Sequence, residues 1–210
     1  MDGFLMGNQY DIGKEIIDNS DWSTKKVKTF RGHDGHGVNA DIYCNGKKIA
    51  EVNDDGWGGG LFINYMVEHE GKQRPVGRKE PEEVTNFLAT LPTYTNKEWY
   101  ESISLKPSGR CLEKMGEVQT WGSEDLFNQL IERALEWQDF KKVMRKVCGI
   151  SDGDVVTWKH KTADLDKEFR YRRGLMTLRN MLKTSPNWKD ITILNFLPEE
   201  EAFKLYRKHI

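Results

Sequence analysis

Between Phe30 and Tyr65 the chain reads FRGHDGHGVNADIYCNGKKIAEVNDDGWGGGLFINY. Val38, Ala40, Ile42 and Cys44 alternate with Asn39, Asp41 and Tyr43, the two-residue period of a half-buried strand. Asn45-Gly46 then signals a reversal. A strict two-residue loop would oppose Ala40 to Glu51 and carry a carboxylate onto the apolar face. A three-residue loop, Cys44-Asn45-Gly46 with Gly46 left-handed, opposes Ala40 to Ala50 and Val38 to Val52 and buries apolar groups alone. The pattern therefore predicts a type I turn with a glycine bulge.

Arg31-Gly32-His33-Asp34-Gly35-His36-Gly37 precedes this hairpin, and Asn53-Asp54-Asp55-Gly56-Trp57-Gly58-Gly59-Gly60 follows it. Both lie at the end away from Asn45-Gly46, so they are expected to be neighbours. That places Arg31, His33, Asp34, His36, Asp54 and Asp55 in one region. Imidazole with carboxylate suits zinc or manganese, and glycine-turn amides can cradle a phosphate. The same residue types are also ordinary turn formers. Turn, ligand site and metal site all remain open. Gly35-His36-Gly37-Val38-Asn39-Ala40 matches the dinucleotide pattern G-x-G-x-x-A, but an alternating β segment follows where that motif needs a helix. No P-loop, EF-hand loop or H-E-x-x-H occurs. No catalytic residue, metal ligand or cofactor is assigned.

Three parts of this stretch, Phe30 to Ala40, Asn45 to Val52 and Asp54 to Gly59, follow the pattern F-R-G-x-D-G-x-G-x-N-A, N-G-K-K-I-A-x-V and D-D-G-x-G-G. The pattern resembles the N-terminal part of small uncharacterised proteins of phages and bacteria. The resemblance implies a bacteriophage or prophage accessory protein acting in the host cytoplasm. It transfers no activity and no catalytic residue.

Composition narrows the class. Hydrophobic residues are 37% and charged residues 31% of 210, a globular balance, and seven Trp argue for a packed core. The net charge of −1 excludes a global polycation, so any nucleic-acid contact must rest on a local patch. Cys44, Cys111 and Cys148 form no C-x-x-C, the N-terminus lacks a basic region before an apolar run, and no apolar stretch approaches a span of ~18–20 residues. An intracellular protein with free thiols and no membrane contact is expected.

The elements predict an α+β fold in one domain, 1–210. An antiparallel β-sheet region covers 26–67, a mainly helical region 81–148 and a ββαβα unit 149–210. Residues 71–80 read as a basic linker, and Pro81-Glu82-Glu83 opens a helix. Ser123 to Cys148 carries apolar residues at helical spacing and stops at Gly149, the long central helix. Val155–His160 and Glu168–Arg172 read as paired strands, Leu175–Lys183 as a helix and Ile191–Phe196 as a buried strand.

Residues 155–189 contain nine Lys and Arg against three Asp and Glu. On paired strands Lys159, Lys161, Arg170 and Arg172, with Arg173 beside them, would share one cationic face. Such a face can hold phosphates of nucleic acid or nucleotide, meet an acidic protein, or serve as a solvated exterior. Three functional classes follow. The first is a binding protein that engages a host protein or other anionic partner, in host takeover or anti-defence. The second is a metal-dependent phosphodiester hydrolase using His33, His36, Asp54 and Asp55. The third is a small-nucleotide sponge using the glycine turns.

Overall fold

Three X-Gly pairs reverse this chain in two residues each. Asn45-Gly46 (φ 50 and 77), Glu70-Gly71 (φ 52 and 70) and Asp152-Gly153 (φ 51 and 88) are left-handed at both positions. Each joins directly paired strand ends, Cys44 with Lys47, His69 with Lys72 and Ser151 with Asp154. This is the hairpin loop whose twist matches that of its strands. The computed structural model describes residues 7–32, 35–171, 174–184 and 188–210. The fold is α+β, and the chain forms two compact units, Met1–Ala134 and Leu135–Ile210.

The first unit is built on a five-stranded antiparallel meander, β1 (Trp22–Arg31), β2 (His36–Cys44), β3 (Lys47–Asp54), β4 (Phe62–His69) and β5 (Lys72–Gly77). Helix α1 (Gln9–Asp18) precedes it; α2 (Glu82–Leu88), β6 (Tyr94–Thr95), α3 (Asn96–Ser102), α4 (Arg110–Glu113), β7 (Val118–Gln119) and α5 (Ser123–Val143) follow. Helix α5 is the long helix of the fold, and its last residues belong to the second unit. The expected basic linker at 71–80 is in fact largely strand β5, recruited to the sheet edge by the Glu70-Gly71 turn.

The expected three-residue loop is also corrected. The loop has two residues, and a β-bulge follows it: Tyr43 faces Lys48 while Ile42 faces Ala50, leaving Ile49 as an extra residue on β3. Ala40 therefore opposes Val52, not Ala50, and Val38 opposes Asp54, not Val52. The bulge achieves what the longer loop was invoked for. Ala40, Ile42, Ala50, Val52 and Tyr65 are all buried. Phe127 of α5 lies with its ring centroid 6.3 Å from that of Tyr65 and 6.4 Å from that of Trp22. Burying each of the larger side chains, Ile42, Val52 and Phe127, stabilises the unit by roughly 1.5–3 kcal/mol.

The opposite face is solvated but holds one buried carboxylate. Asp41 accepts from Lys48 Nζ at 2.8 Å, and Lys26 Nζ lies 3.0 Å from its other oxygen. Lys48 also reaches Glu51 at 2.5 Å. Burial pushes the Asp41 pKa up, but the hydrogen bonds from Lys48 and Lys26 outweigh it and hold the carboxyl below its usual range.

The second unit contains the end of α5, then β8 (Lys146–Ser151), β9 (Asp154–Lys161), β10 (Glu168–Tyr171), β11 (Gly174–Thr177), α6 (Leu178–Thr184), β12 (Thr192–Ile193) and α7 (Glu199–Arg207). Its three-stranded sheet has the order β12-β8-β9. Two apolar clusters pack against it. Ile150 and Val155 join Phe140, Cys148, Leu194, Phe203 and Tyr206, whereas Trp158 and Phe169 join Val147, Leu165, Leu178, Leu182 and Ile193.

Several expectations change here. Helix α5 stops at Val143 rather than Cys148, and Lys146–Ser151 is a strand. Gly149 is not a helix stop. A side chain there would come within 2.6 Å of the Thr192 carbonyl oxygen, so glycine admits β12 alongside. Strands β9 and β10 are not paired with each other, because β9 pairs with β8 and β10 with β11. Residues 175–177 are strand, not helix, and the strand expected over Ile191–Phe196 is only Thr192–Ile193 before a single 3₁₀ turn. Where β12 ends, the Asn195 side chain continues its hydrogen bonding. Its Oδ1 accepts from Cys148 N at 2.7 Å, and its Nδ2 donates to Lys146 O and Thr162 Oγ1, each at 3.0 Å. Backbone groups freed by the short strand are thereby satisfied.

Two outcomes are expected. Asn195→Leu keeps volume but strands the Cys148 N–H, and should lower stability by about 1–3 kcal/mol in urea denaturation followed by tryptophan fluorescence. For Asp41→Asn the sign follows from a depressed folded pKa. The stabilisation is present above the unfolded pKa near ~4 and is lost as pH falls through the folded value. The melting temperature of Asp41→Asn should therefore lie below wild type at neutral pH, with the gap closing in acid.

Candidate functional site

The two glycine-rich segments meet backbone to backbone at the open end of the β2–β3 hairpin. A side chain at Gly32 would come within 2.7 Å of the Asp55 carbonyl and 2.8 Å of the Gly56 Cα. One at Gly37 would enter the Phe30 ring and approach the Asp54 carbonyl at 2.5 Å. Close approach of chains, not ligand space, is what these two glycines provide.

Arg31 and His36 pair across β1 and β2 at this end, and Asp54 closes β3 beside them. His33 and Asp34 lie outside the described residues. Asp54 Oδ1 accepts from Gly56 N at 2.8 Å, and Asp55 Oδ1 accepts from Trp57 N at 3.0 Å. Both carboxylates thus fold back on the turn that carries them. The far end of the turn is tied to α5, where Leu61 N donates to Glu124 Oε1 at 3.0 Å. Among the described residues, no three His, Cys, Asp or Glu side chains gather as a metal site. Burial pushes the Cys148 thiol up to about 11, far from a reactive thiolate.

The basic groups are distributed differently from expectation. Lys159 and Lys161 are exposed on β9, an edge strand. Arg170 is exposed on β10, in the separate two-stranded sheet, next to Phe169, which turns into the core. Arg172 and Arg173 lie outside the described residues. Part of the surplus is neutralised locally. Lys167 lies 2.6 Å from Asp164, and Arg179 grips Asp166 through two bonds of 2.6 and 3.0 Å. These contacts hold both carboxyls below their usual range.

In place of the expected four-residue face, the structure places Lys146 directly opposite Lys161. Arg145 precedes Lys146 and is exposed; its carbonyl accepts from Thr162 N at 3.0 Å. Between the paired positions, β9 carries residues 158–160 opposite Val147 alone, a bulge that widens this end of the strand. Like charges directly opposite on a ladder are destabilising. Among the described residues, no carboxylate lies within ion-pair distance of Arg145, Lys146, Lys159 or Lys161. Arg145 and Lys146 were missed in the sequence because they read as the end of α5. The signal that could have found them is Asp152-Gly153, a hairpin turn flanked by KVCGIS and DVVTWK. The wider charge balance agrees: residues 135–210 hold sixteen Lys and Arg against eleven Asp and Glu, and residues 1–134 hold sixteen against twenty-two.

The packing of the turns makes a direct expectation. Gly32→Ala should lower the melting temperature by several degrees, because its new methyl meets backbone. Gly35→Ala, with nothing within 4 Å of the new atom, should leave it within about a degree. Differential scanning fluorimetry of the two variants separates a packing role from a merely flexible loop. Compared with family models, curated protein sequences and solved structures, the chain matches none.

Proposed function

We propose that this chain is a phage-type accessory protein that acts by binding an anionic, host-encoded partner through the cationic end of β8 and β9. The observation that carries this reading is the cross-strand pair Lys146 and Lys161, flanked by Arg145 and Lys159 with no carboxylate at ion-pair distance among the described residues. Asp164 lies near Lys161 but is bonded to Lys167, so it offsets the repulsion between the two ammonium groups only in part; an anionic surface docking there relieves the rest. Exposed charges of this kind act over ~8–10 Å at physiological salt, so they raise the encounter rate and give binding a marked salt dependence.

The test uses the triple substitution Lys146→Gln, Lys159→Gln, Lys161→Gln. These side chains are exposed, so the fold should survive, at within about 0.5 kcal/mol per site. The wild type should be retained on heparin to higher salt than the triple variant. It should also cross-link a bacterial partner that the variant fails to capture. His36→Ala with Asp55→Ala should behave as wild type in both assays. Equal retention and equal capture by wild type and triple variant would reject the cationic end as the binding surface.

A further inference from the structure

The solvated face of the five-stranded sheet carries an arrangement that its structural role does not require. The register puts Lys28, Asn39, Asn53 and Phe62 in one row across β1 to β4. Lys25, Asp41, Glu51 and Asn64 form the next row. Phe30 lies two residues beyond Lys28 on the same face, its ring occupying the space above Gly37. Tyr43 lies two residues beyond Asp41, with Lys25 Nζ 4.3 Å from its ring centroid. The opposite face holds the core residues Ala40, Ile42, Ala50, Val52 and Tyr65.

Two phenyl rings stand out of this surface, Phe62 at 58% exposure and Phe30 at 38%. They are separated by three strand spacings, about 14–15 Å, across the sheet and by two residues, about 7 Å, along it. In the row between them the Asn53 Nδ2 donates to the Asn39 Oδ1, side chain to side chain. The acids in these two rows, Asp41 and Glu51, are held by Lys48 and Lys26, and Glu68 is a further exposed acid on this face, at the far end of β4. Strand β1 carries Lys25, Lys26, Lys28 and Arg31 and no acid. Lys25 and Lys28 have no carboxylate at ion-pair distance among the described residues. Free charge on the β1 side of this face is therefore positive, within a unit whose overall balance is acidic.

We infer that this face is a platform for single-stranded nucleic acid. Exposed rings meet the faces of unpaired bases, amides meet base edges, and the β1 ammonium groups meet phosphates, which matches the three parts of a nucleotide. A duplex would not suit it, because paired bases are stacked on each other and offer no face to a ring. This surface shares no residue with the cationic end of β8 and β9, so the two stand or fall separately.

Fluorescence anisotropy with fluorescein-labelled oligothymidylate and oligouridylate tests it on the full-length protein. Binding of the single strands is expected, with a matching duplex bound far more weakly. Phe62→Ala should weaken binding about tenfold, the effect of losing one stacked base, whereas Phe62→Trp should retain it. Lys25→Gln with Lys28→Gln should reduce the slope of log affinity against log salt by roughly 1.4. Melting temperatures within a degree or two of wild type would establish that the variants are folded. The inference is overturned by any of three results. Neither oligonucleotide binds; binding survives Phe62→Ala and the lysine pair but is lost in the Lys146, Lys159, Lys161 variant; or a neutral polysaccharide such as soluble laminarin binds with the same Phe62 dependence and no salt dependence while the oligonucleotides do not.

Discussion

The register of β2 on β3 is the constraint on which the first unit depends. Side chains alternate with a period of two, so a slip of one residue would exchange the two faces of the sheet. A tight Asn45-Gly46 turn alone would impose that slip and set Ile42 against Ile49. The extra residue Ile49 cancels it, and Ile49 itself is buried, so the irregularity leaves no apolar group in water. One face then offers Ala40, Ile42, Ala50 and Val52 to the core. The other turns Asn39 and Tyr43 outward and holds Asp41 buried between Lys48 and Lys26, which keep its carboxyl below the usual range.

The same economy of backbone contacts governs both units. At the open end of the hairpin, Gly32 and Gly56 allow two loops to touch main chain to main chain, and Asp54 and Asp55 satisfy the amides this leaves. In the second unit β12 is only two residues long, and Asn195 supplies by its side chain the bonds a longer strand would have made. These are positions where a polar residue acts as part of the backbone. Their chemistry is already committed, so function is better sought on the faces around them.

Edges point the same way. Strands β1, β5 and β9 end their sheets, and each carries features that discourage pairing with another chain. Lys25, Lys26 and Lys28 lie on β1, where positive φ at Lys26 accompanies a bulge; Pro75 lies on β5; Lys159 and Lys161 lie on β9 beside another bulge. Strand addition is thereby disfavoured, leaving association to side chains on the faces and at the strand ends. The lysines that block β9 as an edge are also those that, with Arg145 and Lys146, concentrate positive charge there.

The sequence by itself determined the local grammar of this protein. Alternation from Val38 to Cys44, the Asn45-Gly46 reversal, a long helical stripe starting at Ser123 and the neighbourhood of the two glycine segments follow from period and turn chemistry, which need only adjacent residues. The α+β class follows from them. Tertiary structure decided what those rules leave degenerate. Val147 and Cys148 fit a helix stripe and a buried strand equally well, and the surroundings chose the strand because Gly149 lets the Thr192 backbone approach and Asn195 caps the Cys148 amide. The partner of Glu168–Tyr171 was likewise invisible locally. Strand pairing depends on residues far apart in the chain, and here Phe169 packs with Leu165 and Leu178 while its strand pairs with β11 rather than β9. That choice takes Arg170 off the β9 ladder, while the pairing of β8 with β9 sets Lys146 against Lys161.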